Sequence, residues 1–160
     1  MKLVVEFLNI LRWPKTSPET GTDLDSHLQI PDNDSNTFHV YYPTSNRVFY
    51  YATNTYTCGS CSSDQLSDNV TLDKDHKKTT GAPPGDETMT ISKVRSGTYS
   101  FSVHNASDKS PSSSDNLSKS RAKVKVFYND EGTLVRKRFN VPNDNGTLWR
   151  VFTFDSSGSG

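Results

Sequence analysis

Hydrophobic and polar residues alternate with period two along much of this chain. The pattern is cleanest over residues 98–104, where Tyr99, Phe101 and Val103 share one side and Ser100, Ser102 and His104 the other. Successive side chains of a strand point to opposite faces, so the segment reads as a strand with one buried face. Residues 23–30 repeat the pattern, with Leu24, Leu28 and Ile30 on one side and Ser26 as its small member. Asp23, Asp25 and His27 fall on the other side. Further strands are expected over 37–42, 47–52, 70–72, 87–92, 122–128, 134–141 and 147–154. Residues 4–13 fit either a first strand or a short helix, and Pro14 ends both. Turn-forming clusters separate these runs, at 31–36, 129–132 and 143–146. No segment supports a helix of three turns. About eight short strands at this spacing predict an antiparallel β-sandwich, jelly-roll or immunoglobulin-like, with long loops.

Composition sharpens this picture. The chain has 160 residues, which suits one domain, and only 31% of them are hydrophobic, with a mean hydropathy of -0.72. Its polar residues are mainly Ser, Thr, Asn and Asp, which favour turns and strand faces over helices. We expect a single domain over 1–154 and a flexible linker tail over 155–160. The loops 54–69 and 73–86 are long, and 106–120 reads as a polar, mobile insertion. Lys+Arg and Asp+Glu are equal at 18 each, so no global field favours nucleic acid or an anionic membrane. No apolar run reaches the ~18 residues of a membrane span. The N-terminus begins like a signal peptide, but Glu6 interrupts it and no small-residue cleavage site follows. A monomeric domain of a larger chain is expected. Its partner would be a surface protein or a glycan, with neither nucleic acid nor membrane insertion involved.

Cys58 and Cys61 form one CxxC, whereas a zinc ribbon needs two. A short disulfide pinning the 54–69 loop is the expected use in an oxidising compartment. The acids are the strongest constellation. Asp23 and Asp25 stand at i and i+2, as do Asp73 and Asp75, and Glu87 follows a Gly/Pro loop. Such pairs point the same way on a strand, and calcium asks for six to eight oxygens. Solvated strand-end acids would give the same pattern. Neither 73–84 nor 32–43 has the glycine and glutamate of an EF-hand loop.

His27, His39 and His104 each fall on the polar side of a strand, and His76 lies beside the acids. If the strands are neighbours the imidazoles converge, either as a transition-metal site or as a hydrogen-bonded polar layer. Tyr41, Tyr42, Tyr50, Tyr51 and Tyr56 are dense enough to suggest sugar stacking, or core and cross-strand bracing. Lys123 and Lys125 on one strand, and Arg136 to Arg138 on the next, read as edge protection. No nucleophile elbow, zinc-protease helix or phosphate loop is present, and catalysis by the Asp/Glu cluster has no independent sign.

Asp23-Leu24-Asp25-Ser26-His27-Leu28, Phe38-His39-Val40-Tyr41-Tyr42, Leu72-Asp73-Lys74-Asp75, Glu87-Thr88-Met89-Thr90-Ile91, Gly97-Thr98-Tyr99 with Ser102-Val103-His104-Asn105, and Leu148-Trp149-Arg150-Val151-Phe152 come in this order. Over residues 4–154 the chain thereby resembles a group of bacterial secreted and surface β-sandwich domains. It is distantly similar to pre-peptidase C-terminal domains, the calcium-binding sandwiches appended to secreted proteases. The resemblance implies calcium (Ca2+) ligands at Asp23, Asp25, Asp73, Asp75 and Glu87. His76 and Asp86 depart from the pattern, and Asp86 offers an alternative carboxylate. The implied function is that of a non-catalytic, calcium-binding extracellular module in binding, adhesion or structural support. A carbohydrate-binding module and a hydrolase are the alternatives.

Overall fold

The computed structural model describes residues 7–14, 23–77, 84–108 and 113–157. The readings above for residues 1–6, 15–22, 78–83, 109–112 and 158–160 lie outside the described residues. In chain order the strands are β1 (Phe7–Trp13), β2 (Leu24–Pro31), β3 (Thr37–Val40), β4 (Val48–Tyr50), β5 (Asn69–Lys74), β6 (Gly85–Ile91), β7 (Ser96–Asn105), β8 (Lys123–Asp130), β9 (Thr133–Asn140) and β10 (Leu148–Ser157). They make a six-stranded sheet, β4-β5-β6-β1-β8-β9, and a four-stranded sheet, β10-β7-β2-β3. Neighbouring strands are antiparallel throughout. The expected all-β sandwich is therefore what the chain forms, and residues 7–13 are strand rather than helix.

The alternation explains the packing. Leu11 and Trp13 of β1, Leu72 of β5, Met89 and Ile91 of β6 and Val124 and Val126 of β8 are buried. They form one cluster with Leu24, Leu28 and Ile30 of β2 and Tyr99, Phe101 and Val103 of β7. Each such side chain contributes roughly 1.5–3 kcal/mol through burial. In β10 the phase of the alternation changes. Arg150 lies opposite Ser102 but Phe152 lies opposite Phe101, so Val151 is an inserted residue. That bulge lets Trp149 face inward before it, and Phe152 and Phe154 after it. Their rings stack on Phe101 at 5.5 Å and on Tyr99 at 4.6 Å.

Several local expectations are corrected. The strand expected over 47–52 is only Val48–Tyr50, because residues 51–54 turn. Within the expected insertion 106–120, α2 (Asn116–Lys119) forms and buries Leu117, the largest apolar side chain of that segment. Asn116 donates from Nδ2 to Asp108 at 3.0 Å. The 54–69 loop holds a second short helix, α1 (Ser63–Ser67), started by a capping box between Ser62 and Gln65. Ahead of it, Cys58 and Cys61 are joined as a disulfide. The tail is not a linker from residue 155: Asp155, Ser156 and Ser157 pair with Thr98, Gly97 and Ser96.

Candidate metal centre

Glu87 sits on the core side of β6, in the row Gly85, Glu87, Met89 and Ile91, and has no exposed surface. Its neighbours explain how the chain tolerates it. β3 stops at Val40, opposite Leu28, so among the described residues the edge of β2 beyond that point has no strand partner on the β3 side. The Ser26 N–H donates to Glu87 Oε2 at 2.6 Å. Glu87 Oε1, by contrast, is buried without a hydrogen-bond partner among the described residues. Burial pushes the carboxyl up to about 8, against the lowering effect of the Ser26 hydrogen bonds, and Asp25 and Asp75 add to the rise. An unpaired buried carboxylate costs several kcal/mol. That is comparable to the whole stability of a domain, about 5–15 kcal/mol. The group must therefore keep a proton or acquire a cation.

A bulge delivers the second carboxylate. Leu72 of β5 lies opposite Met89, yet Lys74 lies opposite Thr88, so Asp73 is the inserted residue. Asp73 stays outside and accepts from the Thr90 hydroxyl at 2.5 Å. Its own carboxyl is raised by burial, with the Thr90 hydrogen bond opposing. Continuing the register past Lys74 puts Asp75 level with Glu87 and on its face. The expectation that Asp73 and Asp75 point the same way thus fails, because the bulge separates them.

Asp25 completes the set from the other sheet. Carboxylate oxygens of Asp25, Asp75 and Glu87 lie within 4.8 Å of one another. Asp25 is buried, and its carboxyl is pushed up to about 7, by burial first and then by Asp23 and Asp75. Asp23 therefore acts on the cluster through its charge, although it is not one of the three converging groups. The ion pairs Lys74–Asp86, Arg95–Asp68 and Lys119–Asp115 involve none of the three. Asp86 faces outward to Lys74 at 2.6 Å.

The histidines do converge, because β3, β2 and β7 are neighbours. The His27 ring is 5.0 Å from His39 and 5.8 Å from His104. His27 Nδ1 and His39 Nε2 are 2.9 Å apart, and Tyr41 stacks on both rings. Burial lowers His27 to about 4, helped by His39 and His104, and also lowers His39. His76 is apart from them, edge-on to Trp13 at 5.5 Å. The tyrosines divide: Tyr51 is buried under the Arg95 guanidinium at 4.3 Å, Tyr50 is half-buried, and Tyr42 and Tyr56 are exposed. Tyr41 and Tyr42 meet edge to face, so they do not make a coplanar platform.

Two residues of the site went unread in the sequence. Ser26 supplies the N–H that holds Glu87, and Gly85 admits the Trp13 indole. Any Cβ at Gly85 would lie 2.0 Å from Trp13 Cζ2. The signal for the first was present: a serine in the apolar row of one strand and a glutamate in the apolar row of another are complementary exceptions.

Comparison of the chain with protein-family models, with curated proteins and with solved structures gives no match. The chemistry rests on the residues themselves. Buried Asp, Glu and His groups converge in a way that could hold a metal ion. No helix among the described residues is long and apolar enough to cross a membrane.

Proposed function

We propose that this domain binds a divalent cation, calcium above all, through Asp25, Asp75 and Glu87. It works as a non-catalytic extracellular module, in binding, adhesion or structural support of a larger surface protein. The observation that carries this reading is Glu87, fully buried with one oxygen unpartnered among the described residues and two further carboxylates within 4.8 Å. An oxygen-only set is hard in character and suits calcium, which tolerates irregular geometry and fills remaining positions with water or backbone carbonyls. A bound cation would also offset the burial and the neighbouring negative charges that raise Asp25 and Glu87. The Cys58–Cys61 disulfide supports an oxidising compartment.

Thermal unfolding in excess EDTA, and again with calcium restored, tests the reading. Calcium at a hundred times its Kd stabilises by about 2.7 kcal/mol, which is roughly 5–10 °C for a domain of this size. We expect that rise in the wild type and none in Asp75→Asn. An unchanged wild-type Tm overturns the reading.

A further inference from the structure

Asp25 belongs to a second convergent set. One of its carboxylate oxygens and one ring nitrogen each of His27 and His104 also lie within 4.8 Å of one another. Two adjacent, paired strands place them. β7 and β2 are the two inner strands of the four-stranded sheet, Asp25 lies directly opposite His104, and His27 follows Asp25 by two residues on the same face. We propose that this face carries a second metal site, for a borderline ion of the zinc class, formed by His27 Nε2, His104 and an Asp25 carboxylate shared with the oxygen-only site.

Three features point to a ligand rather than to a passive polar layer. His27 Nε2 is buried and has no hydrogen-bond partner among the described residues. The other nitrogen of the same ring is engaged with His39 Nε2 at 2.9 Å. With its proton on Nδ1, His27 donates to His39 and leaves the Nε2 lone pair unengaged. Imidazoles that bind metals are commonly oriented by a hydrogen bond of this kind from their second nitrogen. Tyr41 then fixes both rings, stacking on His39 at 4.2 Å and on His27 at 5.3 Å. Two imidazoles and a carboxylate suit zinc, copper or nickel and suit calcium poorly. Three protein ligands also leave a fourth zinc position for water or for a group from a partner. His39 is a positioning residue in this arrangement, acting through His27.

The proposal meets the calcium reading only at Asp25. His104 belongs to the nitrogen-containing site alone and Asp75 to the oxygen site alone, so the two fail separately. The test is a titration of the metal-free protein with cobalt(II) at neutral pH, in saturating calcium and without it, followed by displacement with zinc. We expect one equivalent of cobalt, with intensified visible bands of nitrogen ligation that zinc abolishes. His27→Phe and His104→Gln lose the bands and at least a hundredfold in affinity. His39→Gln weakens binding about 10–100-fold and keeps the bands, and Asp75→Asn leaves them intact. A cooperative thermal unfolding transition, measured on the same His variants in EDTA, reports that they fold. Bands that persist in both His27→Phe and His104→Gln, bands lost only in Asp75→Asn, or no cobalt bound above the level of His104→Gln would each overturn the proposal. If cobalt binds as expected while calcium leaves Tm unchanged, the second site stands and the calcium reading falls.

Discussion

Replacing Glu87 by Gln keeps the shape of the side chain and removes its charge. The Ser26 N–H retains an acceptor oxygen, and the buried group no longer needs a proton or a cation. In EDTA the Glu87→Gln protein is therefore expected to melt at or above the wild-type temperature. With calcium it is expected to gain nothing. Differential scanning calorimetry of both proteins in both states checks this, and a lower Tm for the variant in EDTA would mean that the charged form contributes to the metal-free fold. A surface glutamate would behave differently, losing little in either state. In the sequence the residue reads as an acid at a strand start and, through the resemblance, as a calcium ligand. Its full burial and its bond from the Ser26 N–H depend on the packing of one sheet on the other, which is a tertiary fact.

Alternation located most strands, because period two is a local property. What it could not show were the bulges at Asp73 and Val151, since one inserted residue moves every later side chain to the other face. Asp73→Asn is accordingly expected to change calcium affinity less than twofold, while Asp75→Asn costs at least a hundredfold. Isothermal titration calorimetry of the two variants compares them directly. Equal losses would mean that the bulge does not sort these carboxylates. The β1–β6 pair carries a second element-level constraint. Trp13 lies across Gly85, and a methyl group there collides with the indole. Gly85→Ala is expected to destabilise by about 1–3 kcal/mol, in the range of overpacked cores. Urea unfolding measures it, and Trp13→Leu in the same chain should recover part of the loss. The glycine was visible in the sequence as a loop residue. Its role as the floor under a tryptophan depends on a partner strand some seventy positions away.

For the whole molecule, the buried acids set a pH dependence whose sign follows from the direction of their shifts. Folding raises Asp25 to about 7 and Glu87 to about 8 from their ordinary values of 3.8 and 4.5. The folded chain holds protons that the unfolded chain has released, so this part of the stability is present below pH 4 and is lost as pH rises through 7 to 8. His27 acts oppositely: its value falls from 6.5 to about 4, so its part of the stability grows as pH rises from 4 to 6.5. The two effects oppose each other up to pH 6.5, and above it the carboxylates act alone. In EDTA the Tm should fall from pH 6.5 to 8.5, and in calcium it should hold or rise, because the ion takes the place of the protons. A Tm in EDTA that climbs over that interval would contradict the shifts. The first and last strands also lie in different sheets. β1 belongs to the six-stranded sheet and β10 to the four-stranded one, and an ion held by Asp25 on one side and by Asp75 and Glu87 on the other would bridge them. Tension applied through those two strands would run from β10 through β7 and β2 into the ion, and from there through β6 into β1. The cation would then act as a rivet in the force path, resisting shear between layers that apolar contact alone lets slide. Pulled from both ends in an optical trap, the calcium-loaded domain should yield at a higher force than the same molecule in EDTA, and Asp75→Asn should yield at the lower force in both.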